Sequence, residues 1–494
     1  MTRKLPIFYS ALLLTGVSLL LRLVSTSFQV YISGRIGAAG VGLLQLVLSV
    51  GMLAMTAGMA GIRTSTMYLT AEELGRKKPA NVSWVLSGCF IYSIVCSCTV
   101  AAALYFFAPQ IAANWIGDSR TVGAIRTLAG FLPVSCLCGV MTGYFTAANR
   151  ISTLAAVEVA EQLLSMTVTL LFLQFWAGTS PAKACHAVVL GSAISTCLTL
   201  SCLIILRMRE KSHAGPRIPV RKRLLETAVP LALADDLKSG ISTAENLMVP
   251  KRLSLYVGTL EPLAAFGMVC GMVFPVIMFP AAILFGLAEL LIPELARCSA
   301  ACSHVRIQYL VKRCLRVAML YGLLFSGLIY LLSADLCMLL YGNEDASRYM
   351  KLYALLLPVL YCDAITDAMT KGLGQQKANV RYNIITSTMD IAFLYMLLPH
   401  FGMDGYYFSF TVTHLLNFGL SLRRLIKISH ARIRLITPLL AGTATVLCTW
   451  AASHITLPTL RTAAYLALLS CSLFLLKIID REDLAWLKGL IHKK

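Results

Sequence analysis

Fourteen apolar stretches, each near the length of a membrane crossing, occupy almost the whole chain between Phe8 and Lys477. A helix needs about 20 mostly apolar residues to cross a bilayer. The stretches are 8–33, 41–69, 83–108, 123–147, 153–177, 183–206, 228–256, 263–291, 314–334, 349–372, 381–399, 405–422, 436–453 and 462–477. Hydrophobic residues make up 58% of the chain and mean hydropathy is +0.75, far above an ordinary soluble domain. The expectation is an all-α integral membrane protein of about fourteen transmembrane helices.

An even number of crossings puts both termini on one side. Of the 43 lysines and arginines, 31 fall in the N-terminal tail, in every second connection and in the C-terminal tail, whereas nine fall in the other connections. By the positive-inside rule the basic side is cytoplasmic, so the chain is expected to be multi-pass in the cytoplasmic membrane with both termini inside. The formal charge of +20 is then mostly an orientation signal. It does not point to nucleic acid, because no soluble basic domain exists to carry such a function. The first span opens with Arg3 and Lys4, as a signal peptide does, but it is too long and carries Arg22 at its middle, so cleavage is not expected. The sixteen cysteines sit mostly within spans and read as small apolar filler rather than as ligands or disulfides.

The two halves resemble one another at an offset of about 225 residues. Pro6 opens the first span and Pro230 the seventh; Trp115-Ile116-Gly117-Asp118 is answered by Leu340-Tyr341-Gly342-Asn343, and Leu132-Pro133-Val134 by Leu357-Pro358-Val359. Six spans per copy gives a parallel repeat, related by an axis along the membrane normal, as in many carriers. The expected organisation is a six-helix lobe at 1–206, a basic cytoplasmic linker at 207–227, a second six-helix lobe at 228–426, two extra spans at 427–477, and an amphipathic tail at 478–494. In that tail Leu484, Leu487 and Ile491 share one side and Lys488, Lys493 and Lys494 supply charge. Two lobes imply a cavity open alternately to each side. Gly139/Gly143 and Gly267/Gly271 have the spacing of close helix contacts, and Pro275 and Pro280 predict a kink in the eighth span.

Ionisable side chains at bilayer depth are costly and usually face a bundle interior or a watery cavity. Arg22, Arg63, Lys238 and Glu245 lie inside spans and are the candidate substrate-binding residues. Glu161, Gln162, Asp235, Asp363, Asp367 and Asp390 are candidate cavity or ion-coupling residues. The plainer alternative is that such groups pair with one another and fasten helices; Asp235 and Lys238, three apart, have the spacing to do so. It is the better account of Glu158, Lys251, Arg252 and Lys371, near span ends. Cations from both lobes suit an anionic head group, and arginine is well shaped for phosphate. The chain has no P-loop, HExxH or GxSxG, its histidines are scattered, and its connections are short. No cofactor, metal or catalytic residue is expected, and ATP-driven transport by this chain alone is disfavoured.

Ser33 through Leu46 resembles the segment after the first helix of the stage V sporulation protein B-like exporters. The run Gly143-Tyr144-Phe145 through Asn149-Arg150, with Val157-Glu158 and Glu161-Gln162, resembles their fourth-to-fifth helix turn. Leu291-Ile292-Pro293-Glu294 is similar to their motif closing the eighth helix, and Gly402-Met403-Asp404-Gly405 to their eleventh-to-twelfth turn. These exporters belong to the multidrug/oligosaccharidyl-lipid/polysaccharide (MOP) superfamily, and the resemblance implies twelve core helices in two lobes. It implies a flippase that carries an undecaprenyl-diphosphate-linked glycan between leaflets by alternating access in spore or cell-wall formation. Its partners are then the lipid-linked oligosaccharide and membrane lipids, with proton or sodium coupling open and a monomer expected. In the lipid II flippase branch, arginines of the first two helices line the cavity, and Arg22 and Arg63 stand as counterparts. A second first-helix arginine of that branch finds Phe28 or Gln29 here. Two alternatives remain at this point: a cation-coupled multidrug antiporter of the same fold, using Glu161, Asp363 or Asp390, and a polytopic enzyme of glycan assembly.

Overall fold

The computed structural model describes residues 7–76, 79–148, 150–177, 180–209, 220–258, 261–342, 344–431 and 436–476. The amphipathic tail and residues 210–219 of the linker lie outside the described residues. Among those described the chain is helical throughout, in the order α1 (Ile7–Met59), α2 (Ile62–Gly75), α3 (Val82–Phe106), α4 (Val122–Ala147), α5 (Ile151–Phe172), α6 (Pro181–Met208), α7 (Val220–Leu253), α8 (Pro262–Met278), α9 (Ala281–Ala300), α10 (His304–Tyr341), α11 (Ser347–Ala354), α12 (Leu357–Gly372), α13 (Gln376–Ser429), α14 (Ile436–Ser453) and α15 (Pro458–Leu475). Helix is the expected outcome in lipid, where every backbone polar group needs a partner within its own segment.

By length and apolarity nine described helices can cross a membrane, and eleven if each of two sharply bent pairs is one span. Two of the long helices hold more than one crossing. α1 and α13 have 53 and 54 residues, about 80 Å at ~1.5 Å per residue, against a hydrocarbon core of about 30 Å. Each is broken at one glycine, Gly37 (φ 71°) in α1 and Gly402 (φ 58°) in α13. Both breaks fall in the expected connections, 34–40 and 400–404, and both need a left-handed backbone that glycine adopts without a Cβ penalty. α7 carries too many charges to pass a hydropathy test, yet its 34 residues match the expected seventh span. The chain is thus a multi-pass membrane protein.

The expected kink in the eighth span is present as a 66° bend between α8 and α9, at Pro280. Carbonyls freed by such a break must find donors inside the membrane. Three tyrosines supply them: Tyr341 donates to the Met272 carbonyl at 2.9 Å, Tyr361 to Ile277 at 2.8 Å and Tyr321 to Pro280 at 2.8 Å. A second bend of 53° separates α11 from α12, where Pro358 begins the new helix. A further break, at Ala60 (φ 42°) and Gly61 (φ 68°), divides α1 from α2 inside the stretch read as one continuous span, 41–69.

By contacts the chain divides into two units, one of Met1–Gly271 with Ile391–Met403 and one of Met272–Asp390 with Asp404–Lys494. In the first, Ile62, Leu69, Val85, Phe145 and Leu203 form a buried core. In the same unit Gly267 and Gly271 sit against Ala38 and Val41 of α1, and Ser33 Oγ donates to the Gly271 carbonyl at 3.1 Å. In the second, α14 and α15 pack on α10 through Tyr465, whose hydroxyl donates to the Leu324 carbonyl at 3.0 Å, and through an Arg461–Asp335 ion pair at 3.0 Å.

Candidate functional site

The sequence-derived polar residues fall into two groups, one in each unit. In the first unit α2 begins at the Ala60–Gly61 break and carries Arg63 in its first turn. α4 presses closely on that turn: a Cβ on Gly143 would lie 2.5 Å from the Arg63 carbonyl oxygen, and one on Gly139 would touch the Arg63 side chain. The small-residue pair in α4 is therefore a packing device, and what it packs is the backbone that aims Arg63. The Arg63 side chain is exposed and makes no ion pair among the described residues. It lies within electrostatic reach of Glu158, which also faces Glu161. Glu161 accepts a hydrogen bond from Thr196 Oγ1 of α6 at 2.9 Å, and Gln162 is half-buried beside it in sequence.

α7 supplies the rest of this group. Asp235 and Lys238 are both exposed and do not pair, although their spacing permits it. A lysine left open at membrane depth needs water or an anion near it. Asp236 is half-buried, with Oδ1 shielded from solvent and no hydrogen bond. Glu245 is half-buried, and the turns around it dock on α1: Thr243 donates to the Ser49 carbonyl at 3.1 Å and Asn246 to Ser49 Oγ at 3.0 Å. Arg22 lies in the first half of α1, and its side chain is outside the described residues.

The second group is carboxylates held by neutral donors. Asp363 of α12 accepts from Asn417 Nδ2 at 3.1 and 3.2 Å. Asp390 of α13 accepts from Ser409 Oγ at 2.5 Å and from Thr413 Oγ1 at 3.4 Å. Asp367 accepts from Asn379 at 2.7 Å and pairs with Lys371 at 2.5 Å, the end-of-span pair the sequence suggested for that lysine. Asn379, Asn417, Ser409 and Thr413 escaped the sequence reading. Each is an ordinary polar residue in an apolar run, 12 to 54 positions from its carboxylate. Among the described residues no three His, Cys, Asp or Glu side chains come together to hold a metal ion.

Near the end of the seventh span the cations are engaged. Arg252 stacks over the Tyr395 ring, 3.6 Å from its centroid, and donates to the Tyr395 carbonyl at 2.8 Å. Lys251 donates to the Asn114 carbonyl. These are the snorkelling, fastening residues expected of span ends.

The MatE family matches residues 15–171, which take in Arg63, Glu158 and Glu161. Stage V sporulation protein B of Bacillus subtilis is 21% identical over 424 residues, covering 80% of this chain and 78% of that protein. Residues 15–171 thus carry a MatE family domain. A second Bacillus subtilis relative, sporulation protein YkvU, is 20% identical over 54% of this chain and 62% of its own. Among solved structures, the lipid II flippase MurJ in an inward closed conformation superposes with a TM-score of 0.69 at 11% identity, covering 93% of this chain and 98% of MurJ. An inward-facing multidrug resistance MATE transporter superposes with a TM-score of 0.66 at 14% identity, over 84% and 99%. At these identities the structural likeness speaks for the fold, and it is the MATE/MOP-like fold that the resemblance implied.

Proposed function

We propose that this chain is a flippase that carries a lipid-linked glycan, an undecaprenyl-diphosphate peptidoglycan or polysaccharide precursor, across the cytoplasmic membrane by alternating access. The observation that carries the reading is Lys238: a lysine deep in the seventh span, exposed and without an ion pair among the described residues. Together with the open Arg63 it offers positive charge where an anionic diphosphate needs it. The likeness to Stage V sporulation protein B over most of both chains, and to the fold of the lipid II flippase MurJ, supports the reading. In this reading the chain is a carrier and not an enzyme, both termini are cytoplasmic, and the two repeats 1–206 and 228–426 are the moving lobes. Arg22, Arg63, Lys238 and Glu245 meet the head group.

A second reading is favoured by one observation: Asp363 and Asp390 accept only neutral donors among the described residues, as a carboxylate that exchanges a proton or sodium ion does. It gives a cation-coupled antiporter of the same fold, or an ion-coupled flippase. The deciding experiment is reconstitution into vesicles. A fluorescent lipid-linked disaccharide should appear on the far leaflet at a rate that scales with protein. Cationic dye efflux on an imposed proton or sodium gradient, with no lipid movement, would replace the flippase by the antiporter.

A further inference from the structure

Two adjacent carboxylates close α2, Glu72 and Glu73, and Glu73 is only 1% exposed. Arg223, in the first turns of α7 and 150 residues from Glu73, forks between them. One guanidinium nitrogen reaches Glu73 Oε1 at 2.8 Å and the other Glu72 Oε2 at 2.6 Å. Two more donors serve the same carboxylates from their own side. Arg76 pairs with Glu72 at 2.5 Å and lies 3.9 Å from Glu73, and Asn81 Nδ2 donates to Glu73 Oε2 at 2.8 Å.

This division of partners distinguishes a latch from a permanent fastening. Stripping a buried carboxylate of every partner is prohibitive, which is why most buried ion pairs stay closed. Here the departure of Arg223 leaves Glu72 with Arg76, and Glu73 with Asn81 and Arg76, so neither is orphaned. Arg223 itself is 32% exposed, beside the exposed Arg221 and Lys222, and returns to water or lipid phosphate without deep desolvation. The apolar contacts beside it are those of Val220, packed against Gly88, and of Leu224 and Ala228, which lie in the buried core of the first unit. The corresponding acidic corner of the second unit is wired differently. Glu294 pairs with Arg297 at 2.8 Å and Arg306 at 2.6 Å, on its own helix and the next one, and ties no distant element.

We propose that Arg223 with Glu72 and Glu73 forms a reversible latch, which holds the start of α7 on the end of α2 and releases when the cytoplasmic side opens to admit substrate. The opening step rests on the alternating-access reading; the latch itself does not. On the basic side of the membrane, α2 leads into Arg76-Lys77-Lys78 and α7 follows the basic linker, so the latch stands where a substrate from the inner leaflet must enter.

The test is hydrogen exchange on the full chain in nanodiscs, read at the start of α7, with melting and transport measured on the same samples. Arg223→Gln should raise exchange over residues 220–228 about tenfold, the value of one partly exposed, forked pair. Its melting midpoint should stay within about 2 °C of the parent, because no carboxylate is orphaned. The swap Glu73→Arg with Arg223→Glu should return exchange toward the parental rate. Glu294→Gln should leave residues 220–228 unchanged. Arg223→Lys, which keeps the charge and loses the fork, serves if the glutamine variant folds poorly, and should raise exchange by a smaller factor. Unchanged exchange in these Arg223 variants, or a melting midpoint that falls steeply in step with lost transport, would overturn the latch in favour of a fixed staple. Lipid-linked disaccharide movement by the parent protein judges the flippase reading separately, whatever the exchange result.

Discussion

The polar interiors of the two units are built on opposite principles. In the first, Arg63 and Lys238 are exposed and unpaired among the described residues, with Glu158 in electrostatic reach of Arg63 but not bonded to it. In the second, Asp363 and Asp390 are held at hydrogen-bond distance by Asn417, Ser409 and Thr413, and no cation neutralises them among the described residues. An unpaired cation at membrane depth is an offer to an anion from outside the protein. A carboxylate with a fixed set of neutral donors is suited to a small cation, because the donors hold its geometry while its charge is satisfied or released. The division suggests that one unit contacts the substrate and the other senses an ion.

The largest effect that could break this comparison is at Lys238. Lys238→Ala should lower lipid-linked disaccharide movement by about 10- to 100-fold, the value of one charge-assisted contact. Protein level should be normal and complementation of a flippase-deficient cell should be lost. Arg63→Ala should act in the same direction more mildly, since Arg63 lies nearer the end of its expected span, 41–69. Normal growth of cells carrying both variants at parental protein level would end the cationic role of the first unit.

Asp363→Asn should come next. The asparagine can still accept from Asn417, so folding is retained, while the dependence of transport on a proton or sodium gradient should fall several-fold. If the gradient dependence is unchanged and binding of the lipid diphosphate is lost instead, the two units do not divide the work as described.

Packing around Arg63 should follow. Gly143→Val places side-chain carbon against the Arg63 carbonyl, where a Cβ already stands at 2.5 Å. It should cost about 1–3 kcal/mol in stability and reduce transport with it. Gly130→Ala, on the same helix with nothing within 4 Å of the added carbon, should gain up to about 1 kcal/mol and leave transport unchanged. Thermal unfolding of the two variants side by side separates the positioning of Arg63 from general tolerance of α4.

The smallest effect is expected at Asp118, before α4. Hydrogen bonds from the Arg120 side chain, at 2.7 to 3.2 Å, with one from its backbone N–H at 2.9 Å, hold the Asp118 carboxyl below the ordinary carboxylate range. The stabilisation is therefore present above the unfolded carboxylate pKa of about 4 and lost as pH falls through the lower folded value. Because Arg120 is 69% exposed, solvent screens the pair. Asp118→Asn should flatten the acid limb of the stability curve slightly and leave transport at neutral pH unaltered.

Hydropathy made the crossings legible because each apolar run is an autonomous demand for lipid or core. It also placed the breaks at Gly37 and Gly402, since both lie where apolar runs end. It missed the break at Ala60–Gly61, which interrupts a run whose hydropathy does not falter. The carboxylates Asp363, Asp367 and Asp390 stood out as charges in apolar surroundings. Their partners Asn417, Asn379 and Ser409 did not, because a neutral amide or hydroxyl costs less at membrane depth than a charge does and leaves a weaker mark on the pattern. The Asp235–Lys238 pair shows the reverse failure: spacing allowed a contact that the side chains do not make.

By itself the amino-acid sequence determined that this chain is a helical, multi-pass membrane protein, and which of its residues carry charge into its apolar runs. Those properties follow from composition read along the chain, since lipid enforces helices and penalises charge wherever it falls. Only the tertiary structure decided who meets whom: Arg223 with Glu72 and Glu73, the three tyrosines with the carbonyls of the bent eighth span, Asn417 with Asp363, and Lys238 with no ionic partner among the described residues. Such pairings join residues tens to hundreds of positions apart, and the energy that selects them arises only when the helices pack.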